Sequence, residues 1–366
     1  NGTPVSVDGD LSDWDDAHWT FLSVDHPAYG ILDYFGDTGT VPSNPNDASG
    51  WFALKMDGDN LYVGVKVRDE DGALLAGDGA ADALRSFDHV NLWIGLYDMG
   101  GELPASPHRE ELSESAGYFL TDPTTSAAVY TGSSQRIGPG TDNTGTTLGP
   151  DYHLGVRARE YADSGSPDAY AFGNVGQAVA GSSAAAAKYS DGKGYSLEWA
   201  VPLASLAGKI ADPAGPLANF EWPSFSPEGG MILPFDLAIG DADEAGGEVG
   251  SLRIGTSGNP DDLGPIYFGG RGMLVDMTAA PNNTPRWTYL IDYKPEQNVT
   301  LDGDLSDWAD AAFRGLSQDH PLFTVIQGTP RSPDDFSGYI GLKMDDENLY
   351  AAVRVRDEGT AMIETF

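Results

Sequence analysis

The chain has 366 residues and no cysteine, and its 20 Lys+Arg against 56 Asp+Glu give a formal net charge of −36. That excludes disulfides, thiolate metal sites and cysteine nucleophiles, and it repels nucleic acid and anionic membrane surfaces, which need basic patches. It favours hard cations such as Ca²⁺, although the same acidity also serves solubility.

The first predicted element is a turn at residues 8–14. Asp8-Gly9 bends the chain, Ser12 or Asp13 is placed to cap a short helical turn, and Trp14 packs beneath it. Asp8, Asp10 and Asp13 are also close enough in sequence to converge on Ca²⁺, without the EF-hand spacing. Over residues 60–69, Leu61, Val63, Val65 and Val67 alternate with Tyr62, Gly64, Lys66 and Arg68, which predicts a strand with one apolar face. Residues 87–97 alternate likewise, with Val90, Leu92, Ile94 and Leu96 on one face and His89, Asn91, Trp93 and Gly95 on the other. Stretches 133–150 and 174–188 are rich in Gly, Ser, Thr and Ala and are expected to be loops or insertions. Tyr195, Leu197, Trp199 and Val201 alternate before Pro202, and residues 231–239 form a more continuous apolar run. Short strands separated by Gly, Asp and Asn turns predict an all-β fold, an antiparallel, jelly-roll-like β-sandwich with long loop insertions. No run of about eighteen apolar residues is present, so no spanning helix is expected.

The sequence repeats itself. Residues 7–14 recur at 301–308 with one difference, and Asp25-His26-Pro27 recurs as Asp319-His320-Pro321 at the same offset of 294. Residues 54–70 recur at 342–358, with twelve of seventeen positions identical. A fixed period of this kind marks tandem units. The expected organisation is a β-sandwich over 1–277, a linker or last strand over 278–297, and the opening part of a second, incomplete sandwich over 298–366.

Five pieces in order carry a family resemblance. They are the Asp8–Trp14 turn, the hairpin and strand at 57–69, Phe87-Asp88-His89-Val90-Asn91-Leu92-Trp93, Gly194 to Leu203 around Tyr195 and Glu198, and Pro234-Phe235-Asp236-Leu237 through Asp241-Ala242-Asp243. In that order they resemble family 9 carbohydrate-binding modules and their DOMON-like relatives. The resemblance implies a β-sandwich, bound calcium and, in the sugar-binding members, two aromatic rings that clamp a sugar. This chain departs from that clamp: Arg85 stands at one ring position, Asn91 replaces the Glu of the following strand, and residues 258–264 hold no aromatic.

Candidate calcium ligands are Asp8, Asp10, Asp13, Asp57, Asp59, Asp69, Asp88, Asp241 and Asp243. Candidate ligand-contacting residues are Trp93, Arg85, Asn91 and Trp51. Trp93 offers a flat ring for the C–H face of a sugar unless an insertion covers that side of the sheet. No catalytic pattern stands out. The six histidines are scattered, and no H-x-x-x-H pair, G-x-S-x-G elbow or phosphate-binding glycine loop occurs. The expected role is that of a non-enzymatic, calcium-stabilised extracellular module of a secreted or cell-surface repeat protein, structural or adhesive. Its expected partners are polysaccharide and further repeats or copies of itself. An accessory domain of a carbohydrate-active enzyme and a filament or surface-layer subunit built by strand exchange are the alternatives.

Overall fold

A computed structural model describes residues 4–27, 31–33, 42–70, 72, 88–95, 119–121, 128–130, 151–158, 169–171, 181–206, 208–209, 221–222, 226–229, 232–242, 250–254, 270–274, 292–293, 299–308, 311–321 and 330–358. The chain opens with a 3-10 turn at Leu11–Trp14. Strands follow as β1 (Thr20–Ser23), β2 (Ile31–Asp33), β3 (Ala48–Met56), β4 (Asn60–Asp69) and β5 (His89–Gly95). Next come β6 (Phe119–Thr121), β7 (Ala128–Tyr130), β8 (Asp151–Arg157), β9 (Ala169–Ala171), β10 (Ser183–Lys188) and β11 (Tyr195–Pro202). After a four-residue helical turn, Leu203–Leu206, come β12 (Gly208–Lys209), β13 (Glu221–Trp222), β14 (Ile232–Asp241), β15 (Gly250–Arg253) and β16 (Gly270–Met273). The last stretch holds β17 (Asp292–Tyr293), a 3-10 turn at Ser306–Trp308, β18 (Arg314–Ser317), β19 (Ser337–Met344) and β20 (Leu349–Arg356).

The fold is the expected all-β antiparallel sandwich. One sheet runs β1–β3–β4–β11–β10, and the facing sheet runs β2–β15–β14–β5–β8–β9 with β16 also on β14. Alternation decides the packing. Leu61, Val63, Val65 and Val67 of β4, with Leu197, Trp199 and Val201 of β11, meet Val90, Leu92 and Ile94 of β5 and Leu237 and Ile239 of β14 in one buried core. The strand expected over 60–69 forms with those bounds, and the run through Pro234 forms β14, which reaches Asp241. One expectation is corrected. Residues 183–188 are not loop but the edge strand β10, whose small side chains let it lie beside β11 and over the first turn. Of that stretch, 174–180 lies outside the described residues, as does the other, 133–150; of the expected linker or last strand over 278–297, the described part, Asp292–Tyr293, is strand β17.

A third sheet is built from residues 292–356: β18, β19 and β20 are antiparallel, and β17 lies parallel on β19. It packs on the outer face of the first sheet through a second apolar cluster, which joins Trp14, Trp19, Phe21 and Trp51 to Trp308, Phe313 and Tyr339. Phe21 lies 4.7 Å from Trp51 and 5.6 Å from Tyr339, ring centre to ring centre. Gly315 is required there, because a Cβ at that position would collide with the Phe21 side chain. The contact is reciprocal. His26 sits edge-on to Tyr339 at 4.5 Å, and His320 sits edge-on to Trp51 at 4.2 Å. Lys66 donates to the Asp319 carbonyl at 2.7 Å, while Arg354 and Arg356 lie 3.5 Å and 3.4 Å from Asp25. These are the residues related by the sequence repeat, so the same surface serves on both sides, as in a two-fold interface.

Candidate metal centre and its surroundings

Three of the nine candidate calcium ligands converge. Asp69 ends β4 in one sheet, Asp88 precedes β5, and Asp241 ends β14 in the other sheet. All three are buried, and each offers a carboxylate oxygen within 4.8 Å of the others. The strands place them: Asp69 follows the last buried valine of β4, and Asp241 follows the apolar run of β14, so both arrive at one end of the sandwich. The backbone fixes their aim. Asp88 accepts from the Ala242 N–H at 3.0 Å, and its own carbonyl accepts from the Ala158 N–H at 2.7 Å. Asp69 accepts from the Gly72 N–H at 3.0 Å.

A fourth group faces this cluster. The Tyr195 hydroxyl is buried and finds no hydrogen-bond partner among the described residues. Burial first, and then the charges of Asp88, Asp241 and Asp69, push its pKa well above that of a free phenol. Three like charges taken out of water repel one another and lose hydration, so the arrangement calls for a cation or for bound protons. An all-oxygen donor set is what Ca²⁺ takes, at about 2.3–2.6 Å per ligand, which puts oxygens on opposite sides of one ion about 5 Å apart. The observed spread fits inside that span. Zinc and copper prefer nitrogen or sulfur, which this cluster does not present.

The remaining acids do other work. Asp8 accepts from the Asp10 N–H at 2.9 Å, Asp10 caps the 3-10 turn by accepting from Ser12 N–H at 3.0 Å, and Asp13 accepts from Ser6 N–H at 2.6 Å. The turn is capped, but by Asp10 and not by Ser12 or Asp13 as expected, because Asp10 is the extended residue just before the first helical position. Asp57 holds the β3–β4 hairpin by accepting from the Asp59 and Asn60 N–H groups and the Tyr62 hydroxyl; burial is the largest single influence on its pKa and raises it, but the three hydrogen bonds together outweigh burial and lower the pKa. Asp59 is exposed at the tip of that hairpin. Asp243 lies outside the described residues.

The ligand-contacting candidates fare differently. Trp51 is corrected: it is 2% exposed, with its ring packed between Phe21 and His320, so no face is open to a sugar. Asn91 is also corrected, because it is buried, at 1% exposure, and offers no surface to a sugar. Arg85 and the side chain of Trp93 lie outside what the structure describes, although the Trp93 backbone pairs with His153 and Asp236.

Sequence reasoning passed over Glu198 as more than a motif letter. It is fully buried on β11 and accepts from Asp8 N–H at 2.8 Å, Gly9 N–H at 2.7 Å and Trp14 Nε1–H at 2.7 Å. Burial pushes its pKa up to about 7, against the three donors that favour the anion. Ser196, one alternate position earlier, donates to the Gly9 carbonyl at 2.6 Å. A lone acid inside an apolar strand was the available signal. Its partners were hidden because they sit 184 to 190 residues away.

No family model matches the chain, and no curated protein matches it. Among solved structures, the chain is similar to a family 9 carbohydrate-binding module from Caldicellulosiruptor kristjanssonii in complex with cellotriose, at 15% identity and a TM-score of 0.38, covering 78% of this chain and 96% of that one. The glucose complex of a family 9 module from the same organism is similar at 15% identity and a TM-score of 0.37, over 77% of this chain and 96% of that one.

Proposed function

We propose that the chain is a non-enzymatic, calcium-stabilised β-sandwich module of a secreted or cell-surface repeat protein, with a structural and adhesive role. The observation that carries the reading is the convergence of buried Asp69, Asp88 and Asp241 at the seam between the two sheets. A cation held there ties β4 to β5 and β14 and cancels the repulsion that otherwise pushes the sheets apart. Glycan contact enters through the sequence resemblance to family 9 modules. With Trp51 and Asn91 buried, it rests on Trp93 and Arg85.

Calcium titration with thermal unfolding tests the metal. Calcium at about 100 times its dissociation constant adds about 2.7 kcal/mol, a rise in melting temperature of about 3–5 °C for a chain of this size. The Asp88→Asn variant is expected to lose the rise and to bind less calcium by calorimetry. Equal midpoints in calcium and in chelator, with no calcium retained after dialysis, would remove the metal from the reading. Calorimetry with cello- and xylo-oligosaccharides tests the sugar separately: weak or undetectable binding is expected, and tight binding that persists in a Trp93→Ala variant would place the sugar site elsewhere.

A further inference from the structure

We propose that the second edge of β20, which pairs with no strand among the described residues, and the groove beside it are a docking site for one further β-hairpin of the β10–β11 pattern, anchored by a glutamate. The first unit shows what such a groove takes. There β11 pairs with β4 from Tyr195↔Val67 to Pro202↔Asn60, and its alternate residues divide the labour. Leu197, Trp199 and Val201 enter the core, while Ser196 and Glu198 turn the other way and bind the Asp8–Trp14 turn.

The second turn is built to the same pattern. Asp302 accepts from Asp304 N–H at 2.9 Å, Asp304 from Ser306 N–H at 3.0 Å, and Asp307 from Thr300 N–H at 2.6 Å, each matching its counterpart in the first turn. Gly303 has φ +83° where Gly9 has φ +87°. Lys343 lies 5.4 Å over the Trp308 ring and donates to the Asp307 carbonyl, as Lys55 lies 5.6 Å over Trp14 and donates to the Asp13 carbonyl. The N–H groups of Asp302 and Gly303 are therefore set as those of Asp8 and Gly9, which converge on Glu198.

What differs is the space in front of them. A Cβ on Gly9 would touch the backbone of β10 at 3.2 Å, whereas one on Gly303 would meet nothing within 4 Å. A groove of about 710 Å³ opens there, lined by Leu301, Gly303, Trp308, Ala351, Val353 and Val355. Beside it Leu349, Val353 and Val355 are 60%, 58% and 56% exposed. An unpaired strand edge with an apolar face is a template for strand addition, in which backbone bonds give affinity and alternate side chains give specificity. The register follows from the repeat. The glutamate stands opposite Ala352, as Glu198 stands opposite Gly64, and apolar residues stand opposite Val353 and Ala351. The occupant is a separate segment of this pattern and not the β10–β11 hairpin of a second copy, because Glu198 and Trp199 of any copy are already buried in that copy's own sheet.

The test uses the full chain, at a concentration where sedimentation gives a single-chain mass, with a synthetic peptide of residues 181–206. Hydrogen exchange is followed over 301–308 and 349–356. The expected result is one peptide per chain and at least about tenfold slower exchange at alternate β20 amides. A peptide carrying Glu198→Ala should bind about tenfold more weakly, about 1.4 kcal/mol. A Val353→Asp chain, altered at an exposed position, should not bind. If the free peptide is too weak, the same segment tethered to the C-terminus by a flexible linker acts at millimolar effective concentration and must give the same protection. The proposal is overturned by unchanged exchange with the tethered segment, by equal binding of the Glu198→Ala or a shuffled peptide, or by a chain that dimerises with β20 already protected.

Discussion

Val65 is completely buried, while Val353, which stands at the matching place in the repeated sequence, is 58% exposed. The same contrast runs along the whole pair of hairpins, β3–β4 and β19–β20. Both have the same hairpin tip, in which Asp57 or Asp345 accepts from two backbone N–H groups and a tyrosine hydroxyl. Both rest on a tryptophan turn with a lysine over the ring. Among the described residues, only β4 has a strand, β11, at its second edge and a facing sheet above it. The comparison separates two scales. Bonds between residues a few positions apart form wherever the motif occurs, whereas burial depends on strands that arrive from more than a hundred residues away.

The strongest way to break the pairing of the two regions is at their shared core. Trp51→Ala removes a ring that touches Phe21 from its own sheet and His320 from the other region. A loss of about 3–5 kcal/mol in unfolding free energy is expected. Exchange should rise across 311–321 as well as across 48–56; an effect confined to 48–56 would mean that the third sheet is held by other contacts.

A matched pair of small truncations sharpens the contrast. Val65→Ala empties a site walled on every side and is expected to cost about 2 kcal/mol. Val353→Ala, at the counterpart position, is expected to stay within about 0.5 kcal/mol. Chemical denaturation gives both numbers. Equal losses would show that the face of β20 is covered in solution, which would also bear on the hairpin docking proposed above.

The smallest of the three effects is set by pH at the interface. Burial pushes the pKa of His26 down to about 2 and that of His320 down to about 3, helped by Arg354 in the first case and by Arg314 and Lys66 in the second. A histidine kept neutral when folded and free to take a proton when released contributes stability above its ordinary pKa of about 6.5 and loses it as pH falls below that value. Lowering the pH from 7 to 5 should therefore speed exchange at 311–321 and 337–343, taken relative to the intrinsic rate at each pH, by about 25-fold for each histidine released. His26→Phe and His320→Phe should each flatten that response. Glu198 has the opposite sign. Its pKa is raised to about 7, so the folded state takes up a proton before the unfolded chain does and gains stability as pH falls from 7 toward the ordinary glutamate range. Exchange local to the interface, rather than global unfolding, keeps the two apart.

Much of this was legible in the residues. Alternation gave the strands at 60–69 and 195–202, because a strand with one buried face must place apolar side chains at every second position. The acids of the first turn and of the hairpin tips were legible as candidates, but two chemistries share that spacing, and backbone N–H groups nearby took their oxygens first. Trp51 was misjudged for a related reason. Exposure of one sheet face was inferred from a single strand, and His320, which covers the Trp51 ring, lies 269 residues later (320 − 51).

The sequence by itself determined what depends on neighbours along the chain: the turns, their caps, the alternation of the strands, and the presence of the motif twice. Only the tertiary structure decided which three of nine acids meet, which carboxylate serves the first turn, and which copy of the motif is sealed. Those choices rest on contacts between distant segments, where closing the chain costs conformational entropy and side chains from different strands must supply the compensating burial and hydrogen bonds together.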